Sequence, residues 1–260
     1  MRLCALDIES NGLDPKLCEV TELGYVIKDF GAPKPLVLKS IPIQPEEMLD
    51  GFITDEITAI TGITAEWLAE AGCLFRDAWY QLIDDLVKFN VEYIVAHNGQ
   101  NFDRPFLLEI ASQYGVSDPR FEALPWLDTQ HDIVYPKHQP RNLINVAASH
   151  GILNPFPHAA VFDAFTTYKV LERYDLHAII ARSKIPWVVV RAMDITPPFR
   201  DTKPDGQKDT DLCKARRYQW QSCGDGKTYD KSWVKRVKED ELDKEIAEAP
   251  FKVARIDHAP

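Results

Sequence analysis

Apolar positions along the first 185 residues alternate between a strand period and a helix period. Residues 2–8, 20–29 and 35–43 read as three strands, and the short links between them imply consecutive antiparallel pairing. In FRDAWYQLIDDLVKF, Phe75, Trp79, Leu82, Ile83 and Leu86 fall at helical spacing, which predicts an amphipathic helix. VEYIVAHNG is a short β-branched run closed by turn residues, a buried strand. DRPFLLEIASQYGV follows as a helix with Phe106, Leu107, Ile110 and Tyr114 on one side, then LPWLDT as a short strand. RNLINVAASHG reads as a helix closed by Gly151, and AAVFDAFTTYKVLERY as a further helix. The order βββ-α-β-α-β-α-α predicts an α/β fold: a mixed sheet with helices on its faces, the later strands made parallel by helical crossovers.

From residue 186 to 207 the periodic pattern stops. ITPPFRDTKPDGQKD, rich in Pro, Asp, Gly and Lys, predicts an exposed loop. Beyond it come the basic and aromatic CKARRYQW, then YDKSWVKRVK, the charged helix EDELDKEIAEA and a last strand FKVARI. The expected division is a main domain over residues 1–185 and a small α+β appendage over 186–260. Charge divides in the same place: residues 1–185 hold 15 Lys and Arg against 26 Asp and Glu, residues 186–260 hold 15 against 14. Arg216, Arg217, Tyr218, Trp220, Trp233, Lys235, Arg236 and Lys238 suit a surface that binds a single nucleic-acid strand or a partner, phosphates on the cations and bases on the rings. The competing reading puts both tryptophans in the core of the appendage, and it is the one favoured for them.

Composition narrows the class without naming it. The net charge of −10 argues against coating nucleic acid by bulk electrostatics. No apolar run approaches the ~20 residues of a membrane span, and no cleaved secretory signal is expected. The five scattered cysteines (Cys4, Cys18, Cys73, Cys213, Cys223) form no CxxC pair, which points to free thiols in a reducing cytoplasm rather than to zinc.

The first strand carries the chemistry. In LCALDIES the apolar run Leu3–Leu6 is followed by Asp7 and Glu9, two carboxylates on one face of a strand. AHNGQNFDRPFL places Asp103 at a helix start just after a strand, and PHAAVFDAF places His158 before a helix and Asp163 inside it. Parallel strand ends and the helix starts after them gather at one sheet edge, so these four carboxylates are expected to converge. They tolerate one another only with cations among them. Hard oxygen ligands select magnesium or manganese, and two such ions form the clamp used to hydrolyse a phosphodiester. His158, beside the cage, suits the base that takes the proton from water. Asp128 in LDTQHD is read as a structural cap rather than a fifth ligand. Asp103 doubles as a candidate helix N-cap, and His97, His131 and His150 are read as structural.

ALDIESNGLD, AHNGQNFDRPFL and HAAVFDAF resemble, in order and spacing, the three motifs of the DnaQ-like DEDDh 3′–5′ exonucleases, and ITDEITAITGIT and WLDTQHD look like connecting segments of that group. The resemblance covers residues 1 to about 180. It implies an RNase H-like fold, a mixed five-stranded β-sheet flanked by helices. It further implies Asp7, Glu9, Asp103 and Asp163 as ligands of two Mg²⁺ or Mn²⁺ ions, with His158 as the base. Ile8 and Ser10 stand where threonines are frequent in that family. Ser10, Gly12, Leu13, Asn98 and Phe102, with His158, are the candidates to hold the terminal nucleotide, Leu13 by wedging against the last base. The expected activity is removal of nucleoside 5′-monophosphates from a 3′ end, DNA preferred and single-stranded. An RNA-trimming enzyme is the nearest rival, and a silent nucleic-acid-binding replication accessory module the rival from another class.

Overall fold

The first nine-residue strand is buried on both sides because its apolar residues alternate: Leu3 and Ala5 join one core, Cys4, Leu6 and Ile8 the other. The computed structural model describes residues 1–47, 51–136, 140–195, 209–222 and 231–256, and the chain forms two units, residues 1–183 and 184–260.

In the first unit the elements are β1 (Arg2–Ser10), β2 (Val20–Asp29), β3 (Val37–Gln44), α1 (Asp55–Thr61), α2 (Ala65–Ala71), β4 (Cys73–Leu74), α3 (Phe75–Lys88) and β5 (Tyr93–Ala96). They continue with α4 (Asp103–Gln113), α5 (Pro119–Ala123), β6 (Trp126–Asp128), α6 (Leu143–Ser149), α7 (Ala160–Leu171) and α8 (Leu176–Ser183). The sheet order is β4-β3-β2-β1-β5-β6, with β1 antiparallel to β2 and parallel to β5. The sheet thus has six strands rather than the expected five. The added one, β4, is only two residues long and lies parallel to β3, too short to leave a periodic signal. With its helices, this is the RNase H-like α/β architecture.

On one face Leu6, Tyr25, Ile27 and Ile94 pack against Trp79, Leu82 and Ile83 of α3 and Phe106, Leu107 and Ile110 of α4. On the other, Leu3, Ala5, Val26 and Val95 pack against Val146 of α6, Ala164 and Tyr168 of α7 and Ile179 of α8. Asp7 and Glu9 continue the alternation of Leu3 and Ala5, so they emerge on the face that α7 covers. Gly24 lies opposite Asp7 in the β1–β2 ladder, and a Cβ there would stand 2.2 Å from the backbone of Ala160. Glycine is what lets α7 come down onto β2.

Segment 53–64, read as a connection, contains α1 and the approach to α2. Each of these helices is seven residues long, and Thr54 and Thr64 cap them by accepting from the amides of Ile57 and Trp67. Two turns are too few to show a helical period.

The second unit opens with a strand that the change of character over 186–207 does not announce. Residues 187–192 form β7 (Trp187–Ala192), an inner strand of a four-stranded antiparallel sheet of order β10-β7-β9-β8. The others are β8 (Gln219–Ser222), β9 (Lys231–Lys238) and β10 (Val253–Ile256), with helices α9 (Asp209–Ala215) and α10 (Leu242–Glu248). From residue 196 to 208 the expected loop lies outside the described residues, as does Cys223. Trp233 is buried with Val188, Val190 and Tyr218, and Trp220 packs edge-on against it, so both tryptophans belong to the core of this unit. Arg216 and Lys235 both bind the buried carboxylate of Glu245 on α10, at 3.0 and 2.7 Å, and Tyr218 donates to it at 3.1 Å. These cations are committed to an internal ion-pair network rather than to an open surface.

Candidate active site

Three elements deliver the acidic residues to one end of the sheet. β1 supplies Asp7 and Glu9, and its register with β2 slips immediately after Glu9. Such a bulge turns the strand away from its partner. α4 supplies Asp103, whose Oδ1 accepts from the Ile8 amide at 3.1 Å, between the two β1 carboxylates. The N-cap of α4 is Phe102, so Asp103 is the first helical residue and not the cap. α7 supplies Asp163 from its first turn.

His158 precedes α7 in the left-handed region, with φ of 64°, an uncommon conformation for a residue with a side chain. Its amide donates to Asp163 Oδ2 at 3.0 Å, while Asn154 Nδ2 donates to Asp163 Oδ1. The loop before α7 is thereby folded onto the carboxylate it serves. One ligand atom each from Glu9, His158 and Asp163 lie within 4.8 Å of one another, and the His158 side chain is exposed.

The electrostatics are those of a cage waiting for positive charge. Burial, then Asp103, Asp163, Glu9 and Glu22, holds the Asp7 carboxyl well above the ordinary carboxylate range. Burial followed by Asp163, Glu22 and Asp103 pushes Glu9 up to about 8. Asp103 is raised to about 7, chiefly by burial, against the pull of backbone donors. Asp163 is raised by burial too, opposed by its bonds from His158 and Asn154. Among the described residues no Lys or Arg forms an ion pair with any of these carboxylates. An all-oxygen, uncompensated donor set of this kind fits hard divalent cations.

The residues proposed to hold the nucleotide have mixed surroundings. Ser10 spends its hydroxyl on the Gly12 carbonyl at 2.6 Å. Gly12 is closed over Cys18, whose Sγ would meet a Cβ there at 2.4 Å. Leu13 is 85% exposed at the tip of the loop between β1 and β2. Asn98 has φ of 71°, and its side-chain oxygen accepts from Asn101. Phe102 packs against Phe106, with its ring partly exposed. Asp128 is buried, and its oxygens accept from the amides of Asn98, Gln100 and Gln130 at 2.9–3.2 Å, which knits together the loop leading into α4. His97 bridges Thr129 and the Arg141 carbonyl, an internal role.

Asn154, and Glu22 on β2, lie outside the motifs and touch the site. Glu22 is an acidic residue within a buried strand, and a carboxylate in that apolar setting is its signal in the sequence.

An RNase H-like sheet with clustered acids at the end of its central strand defines a class of nucleic-acid-cleaving folds. Residues 4–171 match the family model for RNase T-type exonucleases, and the chain belongs to that family, the DnaQ-like DEDDh 3′–5′ exonucleases. Members of this family depend on divalent metal. Among solved structures, the nuclease domain of 3′hExo, a DEDDh family member bound to rAMP, superposes with a TM-score of 0.56 at 18% identity, covering 66% of this chain and 90% of that one. Cell-death related nuclease 4 gives 0.54 at 15% identity over 66% of this chain and 62% of its own. E. coli Exonuclease I in complex with a dT13 oligonucleotide gives 0.57 at 15% identity over 97% of this chain and 65% of that one. Among curated proteins, none matches the chain by sequence.

Proposed function

We propose that this exonuclease removes nucleoside 5′-monophosphates from the 3′ end of single-stranded DNA, with Asp7, Glu9, Asp103 and Asp163 holding two Mg²⁺ or Mn²⁺ ions. When bound, those ions would neutralise the cage and polarise the scissile phosphate. The observation that carries the reading is the placement of a His158 ring nitrogen within 4.8 Å of carboxylate oxygens of Glu9 and Asp163, with which no Lys or Arg among the described residues forms an ion pair. A neutral imidazole there accepts the proton of an attacking water, and its exposure leaves it open to solvent for release of that proton. The bond from its own amide to Asp163 ties the position of the base to that of a ligand.

Apolar side chains at the site's rim, Leu13 above all, offer surfaces against which a terminal base stacks. Asn98 and Phe102 flank the same edge from the loop before α4. The preference for DNA draws support from the likeness to Exonuclease I, bound to dT13, which runs through nearly the whole chain. A ribonuclease is the second reading, favoured by the likeness to 3′hExo bound to rAMP. The chain's free cysteines among the described residues fit a cytoplasmic setting. A time course with Mg²⁺ or Mn²⁺ on matched 3′- and 5′-labelled DNA and RNA, single- and double-stranded, tests the proposal. Stepwise loss from the 3′ end of single-stranded DNA is expected. Faster loss from RNA selects the second reading, and no cleavage of any strand removes both.

A further inference from the structure

Glu22 lies directly across the β1–β2 ladder from Glu9 and is 5% exposed. Like charges opposite one another on paired strands repel, and a buried carboxylate is costly unless bonded. Two donors hold it there. Ser40 on β3 donates its hydroxyl to Oε1, and the amide of Ala160, the first residue of α7, donates to Oε2 at 3.1 Å. First-turn amides have no partner within their helix and carry its positive end, so an anion bonded there anchors the helix. The anchored point is two residues after His158 and three before Asp163, over Gly24, where the backbones touch.

We propose that Glu22 is a positioning residue of the hydrolytic site. Its carboxylate pins the start of α7 to β2 and so sets where Asp163 and His158 stand relative to Asp7 and Glu9, while its charge adds to the attraction for divalent cations. A residue that only capped the start of α7 could be a neutral amide; a carboxylate facing Glu9 adds a repulsion that a bound cation relieves.

The inference rests on the cation-dependent reading above, and the test separates the two. Wild type, Glu22→Ala and Glu22→Gln, each as the full chain, are compared by kcat and KM on a 3′-labelled oligonucleotide at saturating Mn²⁺. Mn²⁺ binding is followed by calorimetry, and rates are normalised to the folded fraction. Glu22→Ala should lower kcat about 10–100-fold with KM within about threefold, because misplacing the reacting groups costs rate more than binding. Glu22→Gln, whose amide oxygen still accepts from Ala160, should recover kcat to within about threefold yet bind Mn²⁺ about fivefold more weakly, one charge having been lost. Wild-type kcat in Glu22→Ala, or a Glu22→Gln enzyme as slow as Glu22→Ala, overturns the positioning role. If Glu22→Ala does not fold, Glu22→Gln decides alone: kept rate with weakened Mn²⁺ binding supports the role, and unchanged Mn²⁺ binding overturns it. Wild-type protein that neither binds Mn²⁺ nor cleaves any strand refutes the underlying reading instead.

Discussion

The backbone amide of Ile8 donates to the carboxylate of Asp103 across 95 positions of sequence, and that bond ties the helix acid to the backbone between the two strand acids. The three are thus placed by backbone, and among the described residues no Lys or Arg forms an ion pair with them. Replacing Asp7 by Asn should abolish cleavage while leaving the metal-free protein as stable as wild type or more so, since a repelling charge is removed. Melting in chelator, beside a cleavage assay, checks this. A markedly lower melting temperature would show that Asp7 serves the fold and not a cation cage.

Protonation gives a second handle. Glu9, lifted to about 8 chiefly by burial, and Asp103, lifted to about 7, hold protons in the folded state that the unfolded chain releases near pH ~4. Their stabilising contribution is complete below that pH and is lost as pH rises through the folded values. In chelator the melting temperature should therefore fall between pH ~5 and ~8.5, and added Mg²⁺ should restore more of it the higher the pH. A flat or rising metal-free curve contradicts the raised values.

For the proposed base, His158→Ala should lower turnover by about 10²–10⁴-fold. Mn²⁺ binding by calorimetry should stay near wild type, because the carboxylates remain. Near-normal turnover removes His158 from proton transfer.

Packing at the α7 contact predicts a fourth effect. Gly24→Ala places a methyl 2.2 Å from the Ala160 backbone, which must shift. Urea unfolding should show a loss of about 1–3 kcal/mol, and cleavage per folded molecule should drop because Asp163 moves with the helix. Unaltered stability would mean that α7 does not press on β2.

Much of this was legible in the chain because the same residues serve two periods at once. β1 announces itself by the apolar run Leu3–Leu6 and announces its chemistry by ending that run with Asp7 and Glu9. α3, α4 and α7 are long enough for a helical period to show. What hid did so for physical reasons. α1 and α2 are two turns each and depend on threonine caps. β7 borders a Pro- and Lys-rich run whose composition dominates the reading of its neighbourhood. Arg216 and Lys235 look available until Glu245, ten residues after Lys235, is seen to bind both. Glu22 and Asn154 act through hydrogen bonds whose partners only folding brings near, 138 residues away for Glu22.

The slip in register after Glu9 has a consequence for how such an enzyme diversifies. Past that point Ser10 pairs with Val20 in the shifted register, and the chain loops out over residues 11–19, tied by the Asn11 amide on the Glu19 carbonyl. Length or composition can change in that excursion without displacing the acids upstream. If that loop holds the polymer end as proposed, natural variants and engineered grafts alike should retune the grip there while the acids stay as they are.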